Sequence, residues 1–197
     1  LVNTALQFDG INELVRIPSP FQNTGGATIE GWVKSSSLTR SLPLLGNIYI
    51  SRFANDGKVY AFFDGSSGNG DTPTNQSTTN IADGQWHHIA ATNDGSVTKL
   101  YIDGQLEASY ADSFNVNLSI LGIGGDQSGN YNLLNGQLDE VRFWNRPLTQ
   151  YEIKSSKGKI LEGDEPGLIA YYNFEDGIGS SILSDVTGNF DGNLINM

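Results

Sequence analysis

The chain has 197 residues, with 22 Asp and Glu against 11 Lys and Arg for a net charge of −11, and it contains no cysteine. That length suffices for one sizeable core. The acidic balance argues against nucleic acid or an anionic membrane as a partner, and the missing thiols exclude a disulfide scaffold and a cysteine-ligated zinc site.

No apolar run approaches the roughly 18 residues of a membrane span, so membrane insertion is not expected. The chain opens on Leu1 with no visible leader, and is expected to be part of a longer, multidomain protein. Its 24 glycines punctuate many short segments, as an all-β sandwich requires.

In chain order, Leu6-Gln7-Phe8 reads as a short strand and Asp9-Gly10-Ile11-Asn12 as a turn. Leu14–Ile17 is a second strand, ended by Pro18 and Pro20. Over Ala27–Lys34, Ile29, Gly31 and Val33 alternate with Glu30, Trp32 and Lys34; the first set is assigned to the core, with Gly31 a point of close backbone approach. Leu44–Asn47, Ile48–Phe53 and Lys58–Phe63 are further strands. Asp64–Asn80 is a long polar loop of the kind that carries function.

Trp86–Thr92 and Thr98–Ile102 form a hairpin, and Asp103-Gly104 is a tight turn into a strand over Gln105–Tyr110. Leu118–Gly122 leads into a second polar loop, Gly124–Asn130. A strand over Leu138–Trp144, if regular, turns Leu138, Glu140 and Arg142 one way and Asp139, Val141 and Phe143 the other. Apolar residues on both faces predict shelter on both sides. Thr149 and Glu152 form a capping box that starts a short helix, Gln150–Ser156. Residues 166–197 hold a strand over Gly167–Phe174 and an Asp-rich turn. They are expected to complete a single 1–197 domain by pairing near the N-terminal strands; the alternative is the start of a following repeat.

The two histidines, His87 and His88, are adjacent and on a strand point to opposite faces, which disfavours a shared zinc or acid–base role. No Gly-x-Ser-x-Gly elbow is present, and no carboxylate pattern declares a glycosidase pair, although Glu30 and Glu140 are available; the chain is read as not an enzyme. Calcium takes six to eight oxygens on Gly-rich loops. Asp185, Asn189 and Asp191 form one candidate cluster, and Asp64, Asn69 and Asp71 another. The competing reading of each is ordinary Asx-turn chemistry. Sugar sites combine aromatic platforms with amides and carboxylates. Trp32, Tyr60, Asp64, Asn69, Asp71, Asp126, Asn130 and Tyr131 are the candidates, most on the rim built by loops 64–80 and 126–131. For Trp32 a core role is the competing reading, and Trp86 and Trp144 are read as core residues rather than platforms.

Five segments in order carry a resemblance: Ala5–Gly10, Thr28–Lys34, Gln85–Ala90, Leu100–Gly104 and Asp139–Arg142. Together they resemble a laminin-G-like, concanavalin A-like domain of large bacterial secreted proteins, distantly similar to pentraxins. The resemblance implies an all-β, two-sheet antiparallel jelly-roll sandwich of about 12–14 strands with one short helix. It also implies an extracellular or cell-surface recognition or adhesion module whose partner is a glycan or another surface ligand, with calcium as cofactor. The rival expectations are a structural spacer or protein–protein module, and an accessory domain of a polysaccharide-degrading enzyme. By analogy with pentraxin-like domains, Asp139 and Glu140 are carried over as metal candidates, joined by Asp9 and Asn12 from the adjacent first strand. A salt bridge from Glu140 to Arg142 or Arg16 is the alternative.

Overall fold

The structure, a computed structural model, describes residues 4–21, 25–37, 41–44, 49–52, 56–63, 75–116, 119–126, 128–130, 132–176 and 180–197. Two antiparallel sheets of seven strands each face one another. The first contains β1 (Leu6–Asp9), β11 (Asn135–Trp144), β3 (Ala27–Lys34), β7 (Trp86–Asn93), β8 (Val97–Ile102) and β9 (Gln105–Ala111) in that order, with β12 (Leu168–Tyr172) also paired to β11. The second runs β13 (Ile182–Leu183), β14 (Gly192–Ile195), β2 (Leu14–Pro18), β10 (Ile120–Ile123), β4 (Ser41–Leu44), β5 (Tyr49–Arg52) and β6 (Val59–Phe62). The C-terminal segment therefore enters both sheets, since β12 pairs with β11 and β14 with β2.

The main core lies between the sheets and gathers Phe8, Val15, Ile17, Ile29, Val33, Ile89, Leu100, Leu121, Ile123 and Phe143, all buried. Ile29 and Val33 face it, as their period-2 spacing predicts. A second, smaller cluster of Ala90, Tyr101, Trp144, Leu148, Ile153, Leu161 and Tyr171 lies on the opposite face of the first sheet. It is covered by α1 (Gln150–Ser156) and the segment that follows it. This explains why β3 and β11 are buried on both faces.

Local chemistry anchors α1. Thr149 accepts from the Glu152 N–H while Glu152 accepts from the Thr149 N–H, completing the expected capping box. Thr28 on β3 donates its hydroxyl to the Arg146 carbonyl and accepts from the Leu148 N–H, tying the helix approach to the sheet. Asp103 (φ 53°) and Gly104 (φ 82°) are both left-handed, the requirement of a type I′ hairpin. Gln150 donates to the Gly104 carbonyl at 2.9 Å, so the helix also rests on that turn.

The strand β11 departs from regular alternation. Asp139 pairs with Trp32 and Arg142 with Glu30, so Glu140 and Val141 together face the single residue Gly31. Glu140 takes φ 54°, and the extra residue is a β-bulge. It reverses the parity of the strand: Leu138, Val141 and Phe143 all enter the main core, while Arg142 and Trp144 turn to the other face. The expected grouping of Leu138 with Glu140 and Arg142 is corrected accordingly.

Candidate functional site

The bulge places a buried polar row across the outer face of the first sheet. Tyr171, Arg142, Glu30, Ala90 and Tyr101 are successive cross-strand partners on five strands. Glu30 and Tyr171 are fully buried, with Arg142 and His88 nearly so. The Trp144 indole N–H donates to Glu30 Oε1 at 3.2 Å, and Arg142 Nη1 lies 3.6 Å from the same oxygen. Arg142 Nη2 donates to Glu140 Oε2 at 2.5 Å, and the Tyr171 hydroxyl donates to that carboxylate. The Glu140–Arg142 ion pair weighed from the sequence is thus present.

Arg142 also closes the roof, donating to the carbonyls of Ser156 at 3.0 Å and of Lys159. Trp32 Nε1 donates to the Lys157 carbonyl at 2.8 Å, and its ring meets His88 edge-on and carries the Lys157 ammonium 5.2 Å from its centroid. Carbonyls at the helix C-terminus carry partial negative charge, so a guanidinium there is well placed.

Burial governs the protonation of this centre. It pushes the Glu30 carboxyl up, against the pull of Arg142 and the Trp144 N–H. It drives His88 down to about 3, aided by the Arg142 charge, which leaves the imidazole neutral. Arg142 is held charged: burial works against its proton, but Glu30 and Glu140 more than offset it. Asp139 is pushed up to about 7 by burial and then by the like charge of Glu140, with Glu175 adding to it.

The other predicted site residues distribute as follows. Asp9 accepts from the Ile11 N–H and pairs across β1 with Asn135, so Asp139 lies four residues further along β11. At about 3.4 Å per residue this is roughly 13 Å, and β1 does not bring Asp9 and Asn12 to Asp139 or Glu140. Asp185, Asn189 and Asp191 do come together. The Asp185 carboxylate accepts from the N–H groups of Tyr171, Thr187, Asn189 and Phe190 and from the Thr187 hydroxyl, while Asp191 accepts from the Asp185 N–H. Five donors fill the Asp185 oxygens, the Asx-turn chemistry set beside calcium for this cluster. Among the described residues no three Asp, Glu or His side chains assemble into a group able to hold a metal.

On the rim, Asp126 Oδ1 accepts from Ser128 N–H at 2.7 Å and Gly129 N–H at 3.0 Å, while the Asn130 amide donates to the Ser128 hydroxyl. Arg16 donates to the Ser128 carbonyl at 3.2 Å, fastening this turn to β2. Tyr60 is buried, with its hydroxyl on Gln76 at 2.5 Å. Asp64, Asn69, Asp71 and Tyr131 lie outside the described residues. His88 and Arg142 lie within two of the five resembling segments, but their burial beside Glu30, and the part of Tyr171, were not legible there. The available signal was a charged residue on each of two apolar strands, Glu30 and Arg142, which in a buried strand calls for a partner.

A family model described as the Concanavalin A-like lectin/glucanases superfamily, of laminin-G type, matches residues 9–154. No curated protein matches the sequence. Among solved structures, a candidate carbohydrate-binding protein of Bacteroides ovatus is similar at 20% identity and TM-score 0.71, covering 98% of this chain and 58% of that one. Domains LG4-5 of the mouse laminin alpha1 chain are similar at 16% identity and TM-score 0.58, covering 76% of this chain and 44% of theirs. Domain 4 of an extracellular arabinanase of Geobacillus stearothermophilus, in complex with arabinotriose, is similar at 21% identity and TM-score 0.57, covering 79% and 77%. This chain thus spans 58% and 44% of the first two, and at these identities the likeness is one of fold. Among the described residues no helix is long and apolar enough to cross a membrane.

Proposed function

The chain belongs to the concanavalin A-like lectin/glucanases superfamily, and on that premise we propose that it is a non-catalytic carbohydrate-binding module of a longer extracellular protein. One contrast supports this reading. The strand carboxylates Glu30 and Glu140 are buried and held by Arg142, Trp144 and Tyr171, whereas the polar groups left accessible at Asp126, Ser128 and Asn130 are locked in a preformed turn. Glycoside hydrolysis needs two carboxyls flanking an open cleft that admits substrate and water; a roofed pair engaged with a guanidinium does not serve it. A fixed rim of carboxylate, hydroxyl and amide suits hydroxyl recognition, because little ordering is needed on binding.

Calcium enters this reading as the cation to test. Among the described residues no three Asp, Glu or His side chains form a group to hold it, so the sugar reading stands on the rim geometry and the comparison with chelator decides the cation. The parent protein in this proposal is an adhesin or a polysaccharide-degrading enzyme to which the module is appended.

The test is a glycan array with calcium and with chelator, using the native chain and Asn130→Ala. Binding of at least one saccharide by the native chain, weakened by the rim variant, supports the reading. Failure to bind any saccharide in either condition transfers the function to a spacer or protein–protein module.

A further inference from the structure

A cleft lies between α1 and the segment 157–166, with a volume of about 400 Å³. That is within the range of small-molecule sites. We propose that this cleft binds one residue of a neutral saccharide, with Tyr151 as its platform; the proposal rests on the reading of the chain as a carbohydrate binder.

Three observations point there. The floor includes Trp144 and Leu161, both buried, and the only polar atom of the indole is turned inward to Glu30. Trp144 therefore gives the floor carbon only, with the Arg146 guanidinium 5.8 Å from its ring centroid, and the platform for the C–H face of a sugar ring falls to Tyr151. At the mouth, Tyr151 is 80% exposed and Ile160 64% exposed. Two large apolar side chains left so open beside one cavity mark a contact surface. An exposed tyrosine with few rotatable bonds is a low-entropy platform.

The charges on the wall are balanced. Arg146 and Lys159 face Glu152 and Glu165, two cations against two carboxylates, in a chain of net charge −11. Arg146 is already paired with Glu152 at 2.8 Å, which removes the unpaired guanidinium that an anionic ligand would seek. The carboxylates are positioned by backbone: Glu165 accepts from the N–H groups of Glu162 and Gly163, and Glu152 from that of Thr149. The result is an apolar floor with fixed donors and acceptors around it and no net charge, which fits vicinal hydroxyls on an uncharged ring.

The test is titration calorimetry of the native chain, Tyr151→Ala, Ser155→Trp and Asn130→Ala with maltotriose, cellotriose, xylotriose and arabinotriose, alongside an array that includes uronic and sialic saccharides. The expected result is binding of a neutral saccharide that Tyr151→Ala weakens about tenfold, the scale of one aromatic contact. Ser155→Trp, which fills the cleft, abolishes that component, and the melting temperatures of both variants stay close to native. Saccharide binding by the native chain that neither cleft variant alters overturns the cleft and leaves the carbohydrate reading intact. Binding through the cleft confined to acidic saccharides overturns the neutral-ligand assignment. No binding of any saccharide by the native chain overturns the carbohydrate reading itself.

Discussion

Arg142 on β11 reaches the C-terminus of α1, where its Nη1 donates to the Ser156 carbonyl at 3.0 Å while Nη2 holds Glu140 on its own strand. One guanidinium thus joins a sheet, an internal counter-ion and the roof above them. Lys has no planar fork to make these contacts together.

Arg142→Met is expected to destabilise the chain by about 3–5 kcal/mol, because it leaves Glu30 and Glu140 buried without their cation. Urea denaturation measures the loss. Hydrogen exchange should show it first at amides 150–161, ahead of the sheet strands. Combining the change with Glu30→Gln should recover part of the loss; strict additivity would mean that the two groups are not coupled.

Asp139 sets a pH dependence. Its folded-state proton is held up to about 7 by burial and Glu140, against about 3.9 in an unfolded chain. Below pH about 4 both states carry the proton and Asp139 costs nothing; between about 4 and 7 only the folded state retains it, so stability falls as pH rises. Asp139→Asn keeps the acceptor for the Glu140 N–H and removes the charge. It should leave the melting temperature unchanged at pH 4 and raise stability at pH 8 by on the order of 2–4 kcal/mol.

Gly124 has φ 82°, and a Cβ added there would meet the Phe8 ring at 2.2 Å. Gly124→Ala therefore combines left-handed strain with overpacking of a core aromatic, together about 3 kcal/mol or more. Gly188, at φ 79° with open space around it, separates the two effects: Gly188→Ala should cost only the backbone strain, about 1–2 kcal/mol. Equilibrium unfolding of the pair decides.

Asp185 organises the C-terminal turn through five donors, one of them the Tyr171 N–H of β12. Asp185→Ala strands these groups and should cost about 3 kcal/mol or more. Asp185→Asn, which keeps one oxygen as acceptor, should cost less. Limited proteolysis within 184–191 offers an independent readout.

The elements of this chain were legible because they rest on local chemistry. Period-2 alternation marked Ala27–Lys34, the Asp103-Gly104 pair marked a hairpin, and Thr149 with Glu152 marked the start of α1. Each depends on residues within a few positions of one another, and each is present in the structure. For Glu140 the sequence leaves a metal role and an ion pair with Arg142 or Arg16 as alternatives, and the pair with Arg142 is the one present.

Only the tertiary structure decided which partners they found. The bulge at Glu140 arises from pairing β11 with β3 on one side and with β1 and then β12 on the other. No periodicity within Leu138–Trp144 shows where the extra residue falls. Likewise, acidic clusters in sequence do not show whether their oxygens meet a cation or backbone N–H groups. At Asp185 five donors take them, and that depends on β12, whose strand lies more than ten residues earlier in the chain.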